Sequence, residues 1–302
     1  MFKSKNGMSR ALVRRETTAG YLFLLPSLFF FVTFVLYPMF LCIYTSFFDS
    51  NMGKNAVDVF VGLGNYKELF QDKLFLGALK NTVLIVVVAV PTVCAFSLWV
   101  ATAIYDMKPA LTSAFRCIFY LPVVTGSVAV TVVWKWMYNS RYGVFNYLFK
   151  SLGIIDQNIN WLGDARFALW CIILILFTTS VGQPIVLYVS ALGNVDHSLV
   201  EAAEVDGANR RQVFWKIKWA QIMPTTLYIL IITTINSFQC FALIQLLTSG
   251  GPTHSTDTIM YYIYYTAFKL YRYGYGNAMG VVLMVIIAGL SAVQFKLGQR
   301  SD

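Results

Sequence analysis

The chain has 302 residues, of which 58% are hydrophobic and only 12% charged, against about 25% charged in an ordinary soluble domain; its mean hydropathy is +0.63. These values exclude a soluble globular protein and place the chain in a membrane. A net charge of +9 would suit nucleic acid if the cations formed one stripe or reading motif, but they are spread over tails and loops, as membrane topology requires.

Ahead of the first apolar segment, Lys3, Lys5, Arg10, Arg14 and Arg15 stand against a single acid, Glu16. This predicts a cytoplasmic tail over residues 1–20. Residues 21–48 form the first span, with Pro26 and Pro38; they are too long for the apolar core of a signal peptide, and no small-residue cleavage site ends them. Residues 49–80 read as a polar loop, 81–105 as the second span with Pro91 inside it, and 106–116 as a short basic link back to the inner side. The third span runs over 117–134, an aromatic- and Asn-rich external loop over 135–166, and the last three spans over 167–192, 225–247 and 277–295. Each can cover a hydrocarbon core about 30 Å thick, which takes about 20 helical residues. The expected architecture is therefore all-α, one six-span unit over 21–302, with Lys296 and Arg300 returning to the side of the N-terminus. The excess of Lys and Arg on the inner side is modest, so the orientation rests on the N-terminal cluster and on the motif within the loop at 196–224.

Within that loop, Ser198-Leu199-Val200-Glu201 reads as a capping box, which starts a helix at about Leu199. Gly207 supplies the positive φ that ends a helix cheaply, and Asn209 is an N-cap three residues before Gln212. The expected order is helix, glycine turn, helix.

The spans carry no Asp, Glu, Lys, Arg or His in their central turns, where a carrier driven by an ion gradient keeps its carboxylates. There is no glycine-rich phosphate loop ending in Lys-Ser or Lys-Thr, no zinc-protease histidine pair and no serine nucleophile elbow. The chain is thus expected not to be an enzyme, and energy for any powered transport comes from another subunit. Cys42, Cys94, Cys117, Cys171 and Cys240 sit in or beside apolar segments with no close pair, and read as buried small hydrophobes without a disulfide framework or metal site. His197 and His254 stand alone in loops and read as solvated. Gly276 and Gly280 are spaced for close helix packing; the run from Gly274 to Gly280 is too long for a dinucleotide loop and follows no strand.

Glu201-Ala202-Ala203, Asp206-Gly207-Ala208 and Ile222-Met223-Pro224 resemble the EAA loop of permeases from binding-protein-dependent ABC importers, with Met-Pro where Leu-Pro is usual. The run from Phe241 to Gly250-Gly251-Pro252, the stretch from Tyr261 to Gly280, Gly62-Leu63-Gly64-Asn65-Tyr66, Leu24-Leu25-Pro26 and Trp161-Leu162 extend the likeness over nearly the whole chain. They are similar to sugar-type permeases related to the larger maltodextrin-importer permease. The resemblance implies a type I ABC importer permease fold in a bacterial cytoplasmic membrane, with both termini cytoplasmic. It implies a second homologous permease, two ATPase subunits and an extracytoplasmic solute-binding protein as partners, and an oligosaccharide or related sugar as cargo. ATP and Mg belong to the ATPases, so no cofactor is expected in this chain.

The same resemblance assigns ATPase coupling to Glu201, Ala202, Ala203, Asp206, Gly207 and Pro224. Glu201 touches the ATPase, Gly207 sets the turn and Pro224 starts the fifth span. It assigns the substrate pathway to Ser180, Gly182, Gln183, Asn236, Ser237, Gln239 and Cys240. Neutral amides and hydroxyls suit a polyhydroxylated ligand because they donate and accept without burying net charge; such residues also join helices to one another. The alternative function is a secondary carrier or channel for a neutral polar solute, which needs intramembrane charge or a filter-like repeat; a scaffold or membrane enzyme needs only the spans.

Overall fold

The computed structural model describes residues 10–50 and 58–298. Lys3, Lys5 and Arg300 of the expected tails lie outside the described residues. The first span is helical from Arg10, inside the expected tail: α1 (Arg10–Phe31), a wide π turn (Val32–Leu36) and α2 (Tyr37–Thr45) run on without a break in helical backbone.

The loop expected at 49–80 is mostly structured. A two-residue hairpin, β1 (Phe48–Asp49) with β2 (Val59–Phe60), is the small exception to an all-α chain. It is followed by α3 (Gly64–Gln71) and α4 (Lys73–Tyr105). Asp72 starts α4 earlier than hydropathy suggests, since its carboxylate accepts from the Leu74 amide at 2.8 Å. At 33 residues the helix is about 50 Å long and protrudes beyond a hydrocarbon core of about 30 Å.

The basic link is also shorter than expected. Pro109 takes the first position of α5 (Pro109–Val124), where its missing N–H costs no intrahelical bond, and Arg116 therefore lies inside a helix. The third span is not one straight helix, because α5 meets α6 (Ser127–Met137) at 95°. Pro122 interrupts the last turn of α5, and Gly126 adopts φ −55°, ψ 142° as the N-cap of α6. The loop expected on the outer side holds α7 (Val144–Ser151), fastened by Asn146, which donates to Ile159 O and accepts from the Ile159 amide and Trp161 Nε1.

The fourth span is α8 (Ala168–Ser180) followed by α9 (Gly182–Gly193). After α10 (His197–Val205) and α11 (Arg210–Val213), a π turn (Phe214–Lys218) leads into α12 (Trp219–Phe238). Pro224 therefore sits inside α12 and does not start the span; the helical run already begins at Arg210. Then come α13 (Ala242–Leu247), α14 (Ile259–Phe268) and α15 (Tyr273–Gly298). Among the described residues, five helical runs are long and apolar enough to cross a membrane, and up to six if the bent pair is one span.

The long α4 is the axis of the bundle. Val93, Val100 and Ile104 of α4 pack with Ile185, Tyr188 and Leu192 of α9 and Ile222 and Ile229 of α12. Toward the other end of α4, Phe75 and Ala78 pack with Ile259, Tyr262, Tyr275 and Met279. Gly298 lies against Leu227 near the start of α12, and Asn277 at the start of α15 donates to Thr45 Oγ1 at 2.6 Å. The end of the first span therefore meets the start of α15, and the end of α15 lies at the end of the bundle that carries α10. Gly276 faces Ala267 of α14, 3.1 Å from where its Cβ would lie, so the small residue serves a close helix contact. The five cysteines are free, but only Cys171 and Cys240 are buried, and Cys117 is exposed.

Candidate functional site

The loop begins differently from its sequence expectation. Asp196 is the N-cap of α10: its carboxylate accepts from the Ser198 amide at 2.9 Å and from Ser198 Oγ at 2.7 Å. An ionised carboxylate is the stronger acceptor, so it captures the serine that was expected to cap. No Ser198–Glu201 box forms, and the helix starts at His197. The hydrogen bonds from Ser198 hold the Asp196 carboxyl below its ordinary range. The Asp196 amide also donates to Gln221 Oε1 at 3.0 Å, tying the loop to α12.

Gly207 has φ +81°. The Ala208 amide donates to Ala203 O at 2.9 Å and the Gly207 amide to Glu204 O at 3.0 Å, which together make a complete Schellman end. Asn209 and Gln212 form the expected box, with the Gln212 amide on Asn209 Oδ1 at 3.0 Å and the Asn209 amide on Gln212 Oε1 at 2.8 Å. Glu201, Ala202, Asp206 and Gly207 are exposed and Ala203 half-buried. Leu199 is 51% and Val205 88% exposed, so a helix with sound caps at both ends presents apolar surface outward.

A second region lies midway along the bundle. Val123 at the end of α5, Ser180 and Gln183 at the α8–α9 joint, and Tyr228, Thr233 and Asn236 of α12 line a cavity of about 160 Å³. No charged side chain lines it. Among the described residues, Ser180, Gln183 and Asn236 make no side-chain hydrogen bond with the rest of the chain, so their capacity is free.

The other expected pathway residues lie elsewhere. A Cβ at Gly182 would run into the carbonyl oxygen of Phe119, so that glycine is where α9 approaches α5. Ser237 is buried and Gln239 exposed, and Cys240 packs among Cys171, Ile244 and Tyr261, its carbonyl accepting from Thr258 Oγ1 at 2.7 Å. Tyr228, Thr233 and Thr179, which also line the cavity, were missed. The signal was available: Thr179 with Gln183, and Tyr228, Ile232 and Asn236, are four residues apart and share a helix face.

His254, expected to stand alone, places Nδ1 2.7 Å from Asp257 Oδ2. Asp257 is 1% exposed, and burial pushes its carboxyl up despite that contact.

Residues 73–301 match the family of binding-protein-dependent transport system inner membrane components. The chain belongs to that family. As a whole this inner membrane component is 33% identical to a probable ABC transporter permease protein, YesP, of Bacillus subtilis, over 94% of this chain and 91% of that protein. It is 32% identical to the lactose transport system permease protein LacF of Rhizobium radiobacter, over 94% and 95% of the two chains. It superposes on a chain from a crystal structure of a bacterial alginate ABC transporter, in complex with an alginate pentasaccharide-bound periplasmic protein, with a TM-score of 0.82 at 23% identity, covering 95% and 96%. That likeness carries the fold, which is the type I importer permease fold, and the chain is a multi-pass ABC transporter permease.

Proposed function

We propose that this permease is one of two homologous subunits that form the pathway of an ATP-driven carbohydrate importer in a bacterial cytoplasmic membrane. The observation that carries the cargo class is the uncharged cavity where Ser180, Gln183 and Asn236 keep their hydrogen-bonding capacity unused. Such groups can match the hydroxyls of a neutral sugar without the desolvation cost of a charge. The relative named for lactose transport supports the same class. Ser237, Gln239 and Cys240 stand off the cavity, and Gly182 shapes it by letting α9 approach α5.

Coupling is assigned to α10 and its glycine turn. An exposed, self-capped helix with an outward Leu199 and Val205 fits a docking element for an ATPase. Glu201 and Asp206 supply charge at its rim, Ala202 and Ala203 allow close approach, and Pro224 stands in α12 behind the loop. ATP and Mg bind two ATPase partners, and an extracytoplasmic binding protein delivers the sugar. The first span buries nothing against this chain over its most apolar stretch, which leaves it free to meet a second permease. With α10 inside, both termini are cytoplasmic.

The test is co-purification of the tagged permease with its ATPase in mild detergent, wild type beside Glu201→Lys and Gly207→Val, followed by uptake of radiolabelled di- and trisaccharides in proteoliposomes. Wild type retaining the ATPase and both variants losing it, with uptake lost in Asn236→Leu, is the expected result. ATPase retention and uptake at wild-type levels in all three variants refute the assignment.

A further inference from the structure

On the α10 end of the bundle, the α4–α5 turn and the end of α9 line a separate open cavity of about 390 Å³. Thr112, Ser113 and Arg116 line it from α5, and Ser190 and Asn194 from α9. The spacing puts Thr112 and Arg116 on one helix face, as it does Ser190 and Asn194. Arg116 is the only charged residue among those lining the cavity. Its Nε is buried and has no hydrogen-bond partner, and the described residues give the guanidinium no ion pair. Buried donors in folded chains are nearly always satisfied, so this orphan calls for a partner that the described residues do not supply.

The location narrows the ligand. Arg116 lies about 10 Å along α5 from Pro109, close to the boundary between hydrocarbon and headgroups in a bilayer whose polar zones add several ångströms on each side. A guanidinium fork with hydroxyl and amide donors from two helices suits an anion with several acceptor oxygens. Basic pockets between spans at this depth bind lipid headgroups.

We propose that this cavity binds a phosphate anion, with Arg116 as the cationic partner and Ser113, Ser190 and Asn194 as neutral donors. The proposal needs only the membrane setting and is independent of the sugar. The phosphate comes either from an anionic phospholipid or from solution, and the experiment separates the two sources.

The full permease, with whatever subunits co-purify, is placed in phosphatidylcholine nanodiscs with or without phosphatidylglycerol, and bound lipid is counted by native mass spectrometry. A second arm titrates inorganic phosphate into the phosphatidylcholine discs. Wild type should hold phosphatidylglycerol, or in the second arm phosphate, roughly tenfold more tightly than Arg116→Gln, while Arg141→Gln, outside the cavity, matches wild type. Loss in the lipid arm assigns a headgroup site and loss in the phosphate arm a soluble-anion site. Equal retention by wild type and Arg116→Gln in both arms overturns the proposal. Should Arg116→Gln not fold, the Ser113→Ala, Ser190→Ala double variant is read in the same way: weaker retention supports the site and unchanged retention overturns it.

Discussion

The two ends of the bundle are held by different means. At the end away from α10, side-chain hydrogen bonds join elements far apart in the chain. Asp72 accepts from Tyr262 at 2.7 Å and from Tyr275 at 2.8 Å, Asn81 donates to Ser255 O and Asp257 O at 3.0 Å each, Thr82 accepts from the Ile259 amide at 3.0 Å, and Arg272 clasps Glu68 through both oxygens at 2.8 Å. The α10 end relies on its own caps and turn, and the loop is tied to α12 through the Asp196 amide, which donates to Gln221 Oε1. One end is a cross-braced frame. The other is a preformed helix hung on the frame by few bonds, which suits an element that transmits motion.

The largest effect is expected where the halves meet. Gly182→Val forces a side chain into the Phe119 carbonyl and should cost about 3 kcal/mol, read as a lower unfolding midpoint in detergent; an unchanged midpoint would mean that α5 and α9 separate freely. Next is Asp72→Ala, which strands two tyrosine hydroxyls and the start of α4, at about 2 kcal/mol. Burial raises the Asp72 pKa, but the Tyr262 and Tyr275 hydroxyls and the Leu74 and Phe75 amides outweigh it and lower the carboxyl below its ordinary value. The sign follows: this stabilisation is present above the unfolded aspartate pKa and fades as pH falls through the lowered folded one. Asp72→Ala should flatten the acid side of the stability profile.

Gly207→Ala should cost about 1 kcal/mol, from φ +81° alone, because no atom lies within 4 Å of the missing Cβ. Its effect on stability should be smaller than its effect on ATPase retention; the reverse ordering would make the turn merely structural. The smallest change is Glu68→Gln. The pair is half-exposed on both sides and contributes about 0.5 kcal/mol, so a loss several times larger would show that the outer frame is cooperative.

The loop was legible where its bonds are local. Gly207 and the Asn209–Gln212 box follow from residues three or four apart, and both stand as expected. Ser198 failed as a cap because a carboxylate two residues earlier competes for the same hydroxyl, a comparison the capping pattern alone does not make. The helical starts at Lys73 and Pro109 were hidden because hydropathy marks the membrane and not the helix: polar first turns are invisible to it. Arg116 was placed in a link for that reason, and its orphaned Nε came to light only with α9 beside it.

Composition and apolar run length by themselves determined a multi-span helical membrane chain, since burying about 20 residues of backbone in hydrocarbon leaves helices as the solution for such runs. Local pattern determined the turn at Gly207, since φ there is a property of the residue. Tertiary structure alone decided the 95° bend between α5 and α6, the meeting of Ser180, Gln183 and Asn236 around one cavity, and the bracing of Asp72 by tyrosines about two hundred positions later. Each depends on which helix faces come together, and packing between distant segments is a property of the whole fold that no short window of residues contains.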